Sequence, residues 1–397
     1  MIYFAILAYL LILMIMYDFK KLRNGRKFHF FMLLIIFICL AGFRYRIGLD
    51  TIRYEWAFDQ IPTFSQLKPS DFADSKYDPL YLIMAVFAKT LNPDFWTLQL
   101  IQAAFVNIVV FRFFYKNAHY LFFSLLMYFL LLYVGYMTET MRESCAVSML
   151  LIGWEYYKKE KLLPLFGCLI LAFLFHSSAI LLFAVFALIL LKVDRRIRFS
   201  IKVFLIGAVI LFAGSYFQEF FINNIGLLAF STRIADKIDM YSGGDFFDSK
   251  LNILGAIGNV FLYAIIPYIC MLALREKKYA EKLEFFVVIE MIFAMISVPI
   301  YIFYRYVGYF LPFVVLLISN ALAERSLRVP IIGNLRTNSL VVWFMFVAPI
   351  TFNTIVVMNG NVRGTNLKNY SKFYPYSSIF SKEIDPDREA LFSLFEL

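Results

Sequence analysis

The 397-residue sequence has few charged residues, few cysteines and few histidines. Only 17% of its residues are charged, against about a quarter in an average soluble domain, so we do not expect a soluble globular protein. The four cysteines form no Cys-x-x-Cys pair and all lie within apolar runs, which argues against a disulfide framework and a thiolate metal site. The histidines are scattered and show no metal-ligand spacing. The sequence therefore predicts no metal and no cofactor.

Apolar residues, in contrast, make up 62% of the chain and fall in runs of roughly 15 to 22 residues. Such runs can cross a hydrocarbon core ~30 Å thick, whereas the strands of a membrane β-barrel would alternate apolar and polar residues. We therefore expect an all-α fold, a polytopic integral membrane protein with about twelve transmembrane helices. We place the spans at residues 2–17, 28–43, 97–111, 120–137, 139–157, 162–175, 177–191, 203–221, 253–274, 283–303, 306–323 and 338–357.

One shorter apolar segment, Leu80–Leu91, is left over. About 12 residues with a rise of ~1.5 Å each reach only ~18 Å, so we expect a re-entrant or interfacial helix. Six short loops, which hold 22 of the 38 Lys and Arg residues, can then all face the cytoplasm, and both termini lie outside. The net charge of +10 thus indicates membrane topology and not a nucleic-acid partner. The six loops are residues 18–27, 112–116, 158–161, 192–202, 275–282 and 324–336.

The domain organisation that follows is a single transmembrane domain, residues 1–357, with outer loops at about 44–78 and 222–252. Residues 358–397 form a polar extracytoplasmic tail. Because this tail also contains aromatic residues such as Tyr374 and Tyr376, we expect it to fold against another part of the chain.

The predicted topology gathers unusual polar residues on the outer side, beginning with a segment rich in arginine. Arginine side chains there can bind lipid phosphates as an interfacial belt, or they can grip a diphosphate ligand bidentately. Their position opposes the positive-inside bias, which favours a functional role. The segment contains Arg44, Arg46, Arg53 and Asp50 interleaved with Tyr45, Tyr54 and Trp56.

A second polar group, Glu139, Arg142 and Glu143, lies at the outer end of a predicted span. Residues three or four apart share a helix face, so Arg142 can pair with Glu139. One interpretation is a self-neutralised helix end, and the other is an arginine that faces a pocket and is oriented by a glutamate.

Two single residues complete the outer set. His176 lies between two predicted spans of about 14–15 residues, which cover only ~21–23 Å of the ~30 Å core. We therefore expect it below the outer surface, beside a pocket that opens outward. It is either a packing residue or a group that binds a hydroxyl or takes up a proton. Arg305 is flanked by Tyr304 and Tyr306 at an outer helix end. It is either a residue of the interfacial belt, which binds lipid phosphates, or a second ligand of the substrate phosphate.

The chain resembles the EpsG/Wzy-like bacterial polysaccharide polymerases in four segments that occur in the family's order. Residues 44–54 are similar to its Arg-x-x-x-Gly-x-Asp-Thr-x-x-Tyr segment, and residues 141–146 to its Arg-Gln-x-x-Ala helix start. Residues 172–179 resemble its Phe-His-x-(Ser/Thr)-Ala break, and residues 304–310 its Arg-x-x-x-Tyr-Phe helix. One departure is Glu143, where the family usually has glutamine.

The resemblance implies a metal-independent glycosyltransferase in the bacterial cytoplasmic (inner) membrane, with its active site facing outside. Its substrates would be undecaprenyl-diphosphate-linked oligosaccharides, and membrane lipid, a chain-length regulator and a flippase are further partners to consider. On this hypothesis four arginines bind and stabilise the leaving diphosphate, and Asp50 or His176 handles the acceptor proton. The aromatic residues of the first segment would stack on sugars. The arginines are Arg46, Arg53, Arg142 and Arg305, and the aromatic residues are Tyr45, Tyr54 and Trp56.

Two alternatives come from other functional classes. A lipid-linked oligosaccharide flippase would need polar groups along a path through both halves of the membrane, whereas the polar residues here cluster on the predicted outer face. A membrane O-acyltransferase of envelope glycans would use His176 as a base and would need a path for a cytoplasmic acyl donor.

Overall fold

The structure, a computed structural model, divides the chain into two compact units. One contains residues 1–190 together with 351–397, and the other contains residues 191–350. The predicted span 203–221 and the outer loop 222–252 lie outside the described residues. The structure describes residues 2–193, 258, 260–274, 280–298, 303–324, 326–329, 333–336, 348, 351–352, 354–362 and 365–394.

The first unit is helical and its helices follow the predicted apolar runs closely. Three short turns of other helix types accompany the α-helices named below. The π-helical turn Met14–Phe19 continues the first helix, and the π-helical turn Phe129–Tyr133 joins α7 to α8. A 3-10 turn, Ser177–Ile180, precedes α11. The helices are α1 Ile2–Leu13, α2 Arg26–Gly42, α3 Asp50–Asp59, α4 Pro69–Asp74, α5 Pro79–Leu91, α6 Trp96–Asn117, α7 Leu121–Tyr128, α8 Val134–Thr138, α9 Met141–Lys158, α10 Leu162–Phe175 and α11 Leu181–Leu190.

Within the described residues, four helices are long and apolar enough to cross a membrane. Shorter apolar helices accompany them, among them α5 and α10, whose existence as separate short elements was predicted. These helices agree with a membrane-embedded helical protein, and the count of twelve spans stays a prediction. The four long helices are Ile2–Phe19, Trp96–Asn117, Leu121–Thr138 and Tyr304–Ala323.

Close helix packing forms the interior of the first unit, in which α2 packs on α6 and α9 packs on both α6 and α10. A Cβ atom at Gly42 would lie 2.5 Å from Cδ1 of Leu100, so the end of α2 can approach α6 only with glycine there. Gln102 of α6 donates from Nε2 to Oγ of Ser144 at 2.8 Å and to the Tyr136 carbonyl at 3.2 Å. This buried amide ties the first turn of α9 to α6 and α8, and so positions the residues at the start of α9.

The second unit contains a helical hairpin in which α13 (Glu281–Ile296) packs on α14 (Tyr304–Ala323), with α12 (Ile266–Leu274) against α14. Helix α13 covers most of the span expected at 283–303, and residues 299–302 of that span lie outside the described residues.

The described residues are helical apart from one small sheet in the second unit, in agreement with the expected all-α fold. Strand β1, Ser326–Val329, pairs antiparallel with β2, Gly333–Arg336, within the stretch predicted to be a basic loop. In the sequence, Pro330 directly follows β1 and Gly333 begins β2, and both are residue types that favour a turn.

The C-terminal tail packs against the segment that follows α2. The backbone N–H of Tyr45 donates to the Ser377 carbonyl at 2.9 Å, and that of Gly48 donates to the Lys372 carbonyl at 2.9 Å. Arg388, in α15 (Pro386–Leu394), is fully buried and donates to the carbonyls of neighbouring tail residues. The tail is therefore folded and packs beside the arginine-rich segment, as its aromatic residues predicted.

Candidate functional site

Arg142 is the centre of a polar cluster in the first unit. Its Nη1 atom donates to the Lys76 carbonyl at 3.1 Å and lies 3.8 Å from Oδ2 of Asp78. The guanidinium carbon is 5.8 Å from the ring centre of Tyr54 and 5.7 Å from that of Tyr77, within cation–π range. Nε of Arg142 is buried and has no hydrogen-bond partner among the described residues. The aromatic rings and the carboxylate thus hold a partly exposed guanidinium whose donors are not all used.

His176 shares the carboxylate of Asp78. Nδ1 of His176 lies 3.2 Å from Oδ2 of Asp78, and the histidine is buried at the end of α10. Burial opposes ionisation of Asp78, but the hydrogen bond and charge of His176, together with Arg142, outweigh it and hold the pKa of Asp78 below its ordinary value. An ionised Asp78 orients the imidazole so that Nδ1 donates and Nε2 carries the lone pair.

A second carboxylate, Glu139, holds the start of α3. Its Oε1 atom accepts the N–H of Leu49 at 2.8 Å, and Oε2 faces the N–H of Asp50 at 3.4 Å. Gly48 has a φ of 88°, and a Cβ atom there would lie 2.6 Å from Cβ of Thr138. The glycine lets the chain approach closely, and the glutamate then satisfies donors at the N-terminus of α3.

The expected pair of Glu139 with Arg142 does not form. Glu139 follows the last residue of α8 and α9 begins only at Met141, so the two residues do not lie on one helix face. Arg142 pairs with Asp78 instead.

Asp50 belongs to a cluster of charges drawn from three chain segments. Its carboxylate lies 3.9 Å from Nη1 of Arg53, whose side chain is 63% exposed. Burial and the Asp50 carboxylate raise the pKa of Glu139. Burial lowers the pKa of Lys372, while Glu139 and Asp50 act on it in the opposite direction. The positive charge of Lys372, in the tail, therefore partly neutralises the negative charges of Glu139 and Asp50 beside α3.

The first two arginines of the segment occupy different environments. Arg44 is only 2% exposed, and it donates to the Ala41 carbonyl and, at 3.3 Å, to Sδ of Met141. Burial lowers its pKa to about 10. Arg46 forms an ion pair with Glu55, with Nε 2.9 Å from Oε2. Arg44 thus joins the end of α2 to the start of α9, and it is buried where its position in the sequence indicated a membrane surface.

The EpsG family model matches residues 27–378 of the chain. The chain belongs to the EpsG family. This is a Wzy-like polysaccharide polymerase family, and its membership confirms the resemblance found in the four sequence segments. Comparison with curated proteins finds no match, and comparison with solved structures finds none either. Membership supports a membrane-embedded enzyme of the polysaccharide polymerase class.

In this EpsG-family protein the predicted site residues fall into separate groups. The structure brings Tyr54, Arg142 and His176 together. Glu143 is buried in the first turn of α9, and Trp56 is exposed on α3. Arg305 is exposed at the second position of α14, in the second unit. Tyr45 lies beside Arg46, with the guanidinium carbon 5.4 Å from its ring centre.

Three residues of the site were missed by the sequence predictions, namely Asp78, Tyr77 and Lys372. The pair Asp78-Pro79 directly before an apolar run is a helix-start signal, and it could have drawn attention to Asp78. Nothing in the local sequence of Lys372 marks it, because its role arises from tail docking. Within the described part of the chain, no group of three or more His, Cys, Asp or Glu side chains could hold a metal ion.

Proposed function

We propose that this EpsG-family protein joins undecaprenyl-diphosphate-linked oligosaccharide repeat units into a surface polysaccharide at the extracytoplasmic face of the bacterial cytoplasmic membrane. The observation that carries the proposal is the convergence of Arg142, Asp78 and His176 within a chain that matches a polysaccharide polymerase family. A polymerase of this kind needs a cation for a leaving diphosphate and a base for an acceptor hydroxyl, and this cluster offers both.

In the proposed reaction, an acceptor hydroxyl attacks the anomeric carbon of the lipid-linked glycan. A carbon–oxygen bond forms to the acceptor, the bond from the anomeric carbon to the diphosphate breaks, and the hydroxyl proton passes to a base. Arg142 binds the departing diphosphate, and Tyr54 and Tyr77 keep its guanidinium in place. Guanidinium groups neutralise the diphosphate in the role that a metal has in other transferases, so the reaction is metal-independent.

His176 is the better supported of the two bases. Its hydrogen bond to Asp78 sets the tautomer in which Nε2 accepts a proton, and the same carboxylate stabilises the imidazolium that results. Asp50, in contrast, forms an ion pair with Arg53 and interacts electrostatically with Lys372. We therefore propose that it binds substrate and offsets the positive charge of these two residues. Arg53 is a further diphosphate ligand in this proposal, and Trp56 stacks on a sugar. For Arg305, the role as a phosphate ligand stays a prediction from the sequence resemblance.

The test is polymerisation by the purified full-length protein in lipid nanodiscs, supplied only with lipid-diphosphate-linked repeat units. We expect a ladder of products from the wild type and from Arg112→Ala, an exposed arginine of α6. We expect none from Arg142→Ala, Arg305→Ala or His176→Ala, and a partial loss from Asp50→Asn. A wild-type ladder from Arg142→Ala would refute its role.

The same assay separates the alternatives. A flippase produces no ladder in a nanodisc, which has no second compartment, and an O-acyltransferase produces none without an acyl donor. The orientation is tested by a reporter fused after Asn92. An extracytoplasmic signal agrees with the proposal, and a cytoplasmic signal contradicts it.

A further inference from the structure

A cavity of about 240 Å³ lies within the first unit, beside the arginine-rich segment and apart from the groups that surround Arg142. Four parts of the chain line it: the segment after α2, helix α3, the start of α6, and the C-terminal tail with Ile379 and Lys382. Its size is somewhat below the ~300 Å³ at which pockets for drug-sized ligands begin, which suits a single sugar ring.

Helix α3 lies between this cavity and the Arg142 cluster, and it contributes one face to each. Asp50 and Tyr54 are four residues apart and share one face, and Tyr54 contacts Arg142. Thr51 and Glu55 are also four residues apart, they lie on the neighbouring face, and both line the cavity. One short helix therefore presents different side chains to two sites.

Three cations and two carboxylates line the cavity, so little net charge is left to bind a diphosphate. Arg46 is already paired with Glu55, and Asp94 adds a second carboxylate. A phosphate would meet carboxylates as well as cations here, whereas a neutral hydroxyl can donate to a carboxylate and accept from a guanidinium.

One buried polar atom at the cavity lacks a hydrogen-bond partner within the described residues, and a buried amide also lines the cavity. Nε of Arg44 is buried without a hydrogen-bond partner among the described residues. Gln99 is only 2% exposed and also lines the cavity. Buried donors are rarely left unused, so Nε of Arg44 indicates a polar ligand, and the Gln99 amide offers both a donor and an acceptor to it. Trp96, at the mouth of the same cavity, is half-buried and offers an aromatic face.

We propose that this cavity is a second saccharide site, which binds a neutral sugar ring of the glycan substrate away from its diphosphate. Gln99 and Arg44 bind the hydroxyl groups, and Trp96 stacks on the apolar face of the ring. The proposal rests on the proposed function, since a polymerase holds two glycans at once. It adds that sugar recognition and diphosphate binding use different residues.

The experiment measures binding of a defined probe to the full-length protein in nanodiscs by calorimetry. The probe is the lipid-free oligosaccharide that mild acid releases from the lipid-linked repeat unit, so it carries no diphosphate. We expect Gln99→Leu and Trp96→Ala to weaken its binding at least about tenfold, as loss of a buried hydrogen bond or a stacked ring does. Gln60→Leu, the same change at an exposed residue, and Arg142→Lys should bind the probe as the wild type does.

Binding that is unchanged in both cavity variants, or that is lost in Arg142→Lys, overturns the proposal. Trp96→Phe keeps an aromatic ring and should retain most of the affinity, which guards against a folding defect in Trp96→Ala. The two proposals fail separately. A protein that makes no ladder yet needs Gln99 for the probe keeps its sugar site and loses the polymerase assignment. A protein that makes a ladder with an unchanged probe affinity in Gln99→Leu and Trp96→Ala keeps the assignment and loses the sugar site.

Discussion

Oδ2 of Asp78 lies 3.2 Å from Nδ1 of His176, although the two residues are 98 positions apart in the chain. Arg142 approaches the same oxygen at 3.8 Å. One carboxylate at the start of α5 thus orients a basic imidazole at the end of α10 and a guanidinium at the start of α9. Because it holds both groups, Asp78 is the residue whose removal should disturb the site most broadly.

Replacing Asp78 with asparagine should reduce the rate of chain extension about 100-fold, in the range by which a positioned base contributes to catalysis. Asparagine keeps the size of the side chain but removes the charge that orients His176 and pairs with Arg142. The measurement is the initial rate of ladder formation in nanodiscs. Asp59→Asn, at the exposed end of α3, is the matched control. A rate for Asp78→Asn equal to that of the control would show that the carboxylate is dispensable.

The stability of the protein should depend on pH through Asp78. Its pKa in the folded state lies below the ordinary value near 3.9, since His176 and Arg142 favour the ionised form despite burial. Its contribution is therefore present above about pH 4 and is lost as the pH falls through the lower folded-state pKa. We expect acid to lower the melting temperature of the wild type more than that of Asp78→Asn. Melting curves that shift in parallel would contradict this.

Gly48→Ala should destabilise the folded protein by about 1–3 kcal/mol. The residue has a φ of 88°, and a Cβ atom there would lie 2.6 Å from Cβ of Thr138 and 2.9 Å from Oε1 of Glu139. Thermal unfolding in detergent measures the effect. Gly167→Ala is the control, because nothing lies within 4 Å of a Cβ atom at that helical glycine and alanine favours helix by about 1 kcal/mol. Equal melting temperatures for the two variants would contradict the close approach.

Arg388→Ala should release the C-terminal tail. The fully buried guanidinium donates to the carbonyls of Ser371 and Pro375 and to Oγ of Ser377. Hydrogen bonds to charged groups contribute about 1.5–3 kcal/mol, so their loss should raise the open population of the tail at least about tenfold. Limited proteolysis with trypsin measures cleavage after Lys372 and Lys382. Unchanged cleavage relative to Arg112→Ala would show that another contact secures the tail.

Much of the helical framework could be predicted because the length and hydropathy of a run are properties of the chain alone. Helix α10 has the predicted bounds of 162–175, and α5 was recognised as too short to span. Helix α3 was expected as part of a loop because it is polar, and it forms where Glu139 satisfies its first N–H groups. A contact of that kind has no signature in the local sequence.

For the site, residue types and their order were sufficient to indicate the family and to select Arg142, His176 and Tyr54. Their partners depended on the tertiary structure. Asp78 and His176 are 98 positions apart, and they meet because the ends of their helices pack together. Lys372 reaches Asp50 and Glu139 in the same way, because the tail packs beside α3. The burial of Arg44 was decided in the same way, since its guanidinium is enclosed by the end of α2 and the start of α9. Hydropathy acts along the chain, whereas the pairing of charges acts through space, and only the folded structure brings these residues within reach of one another.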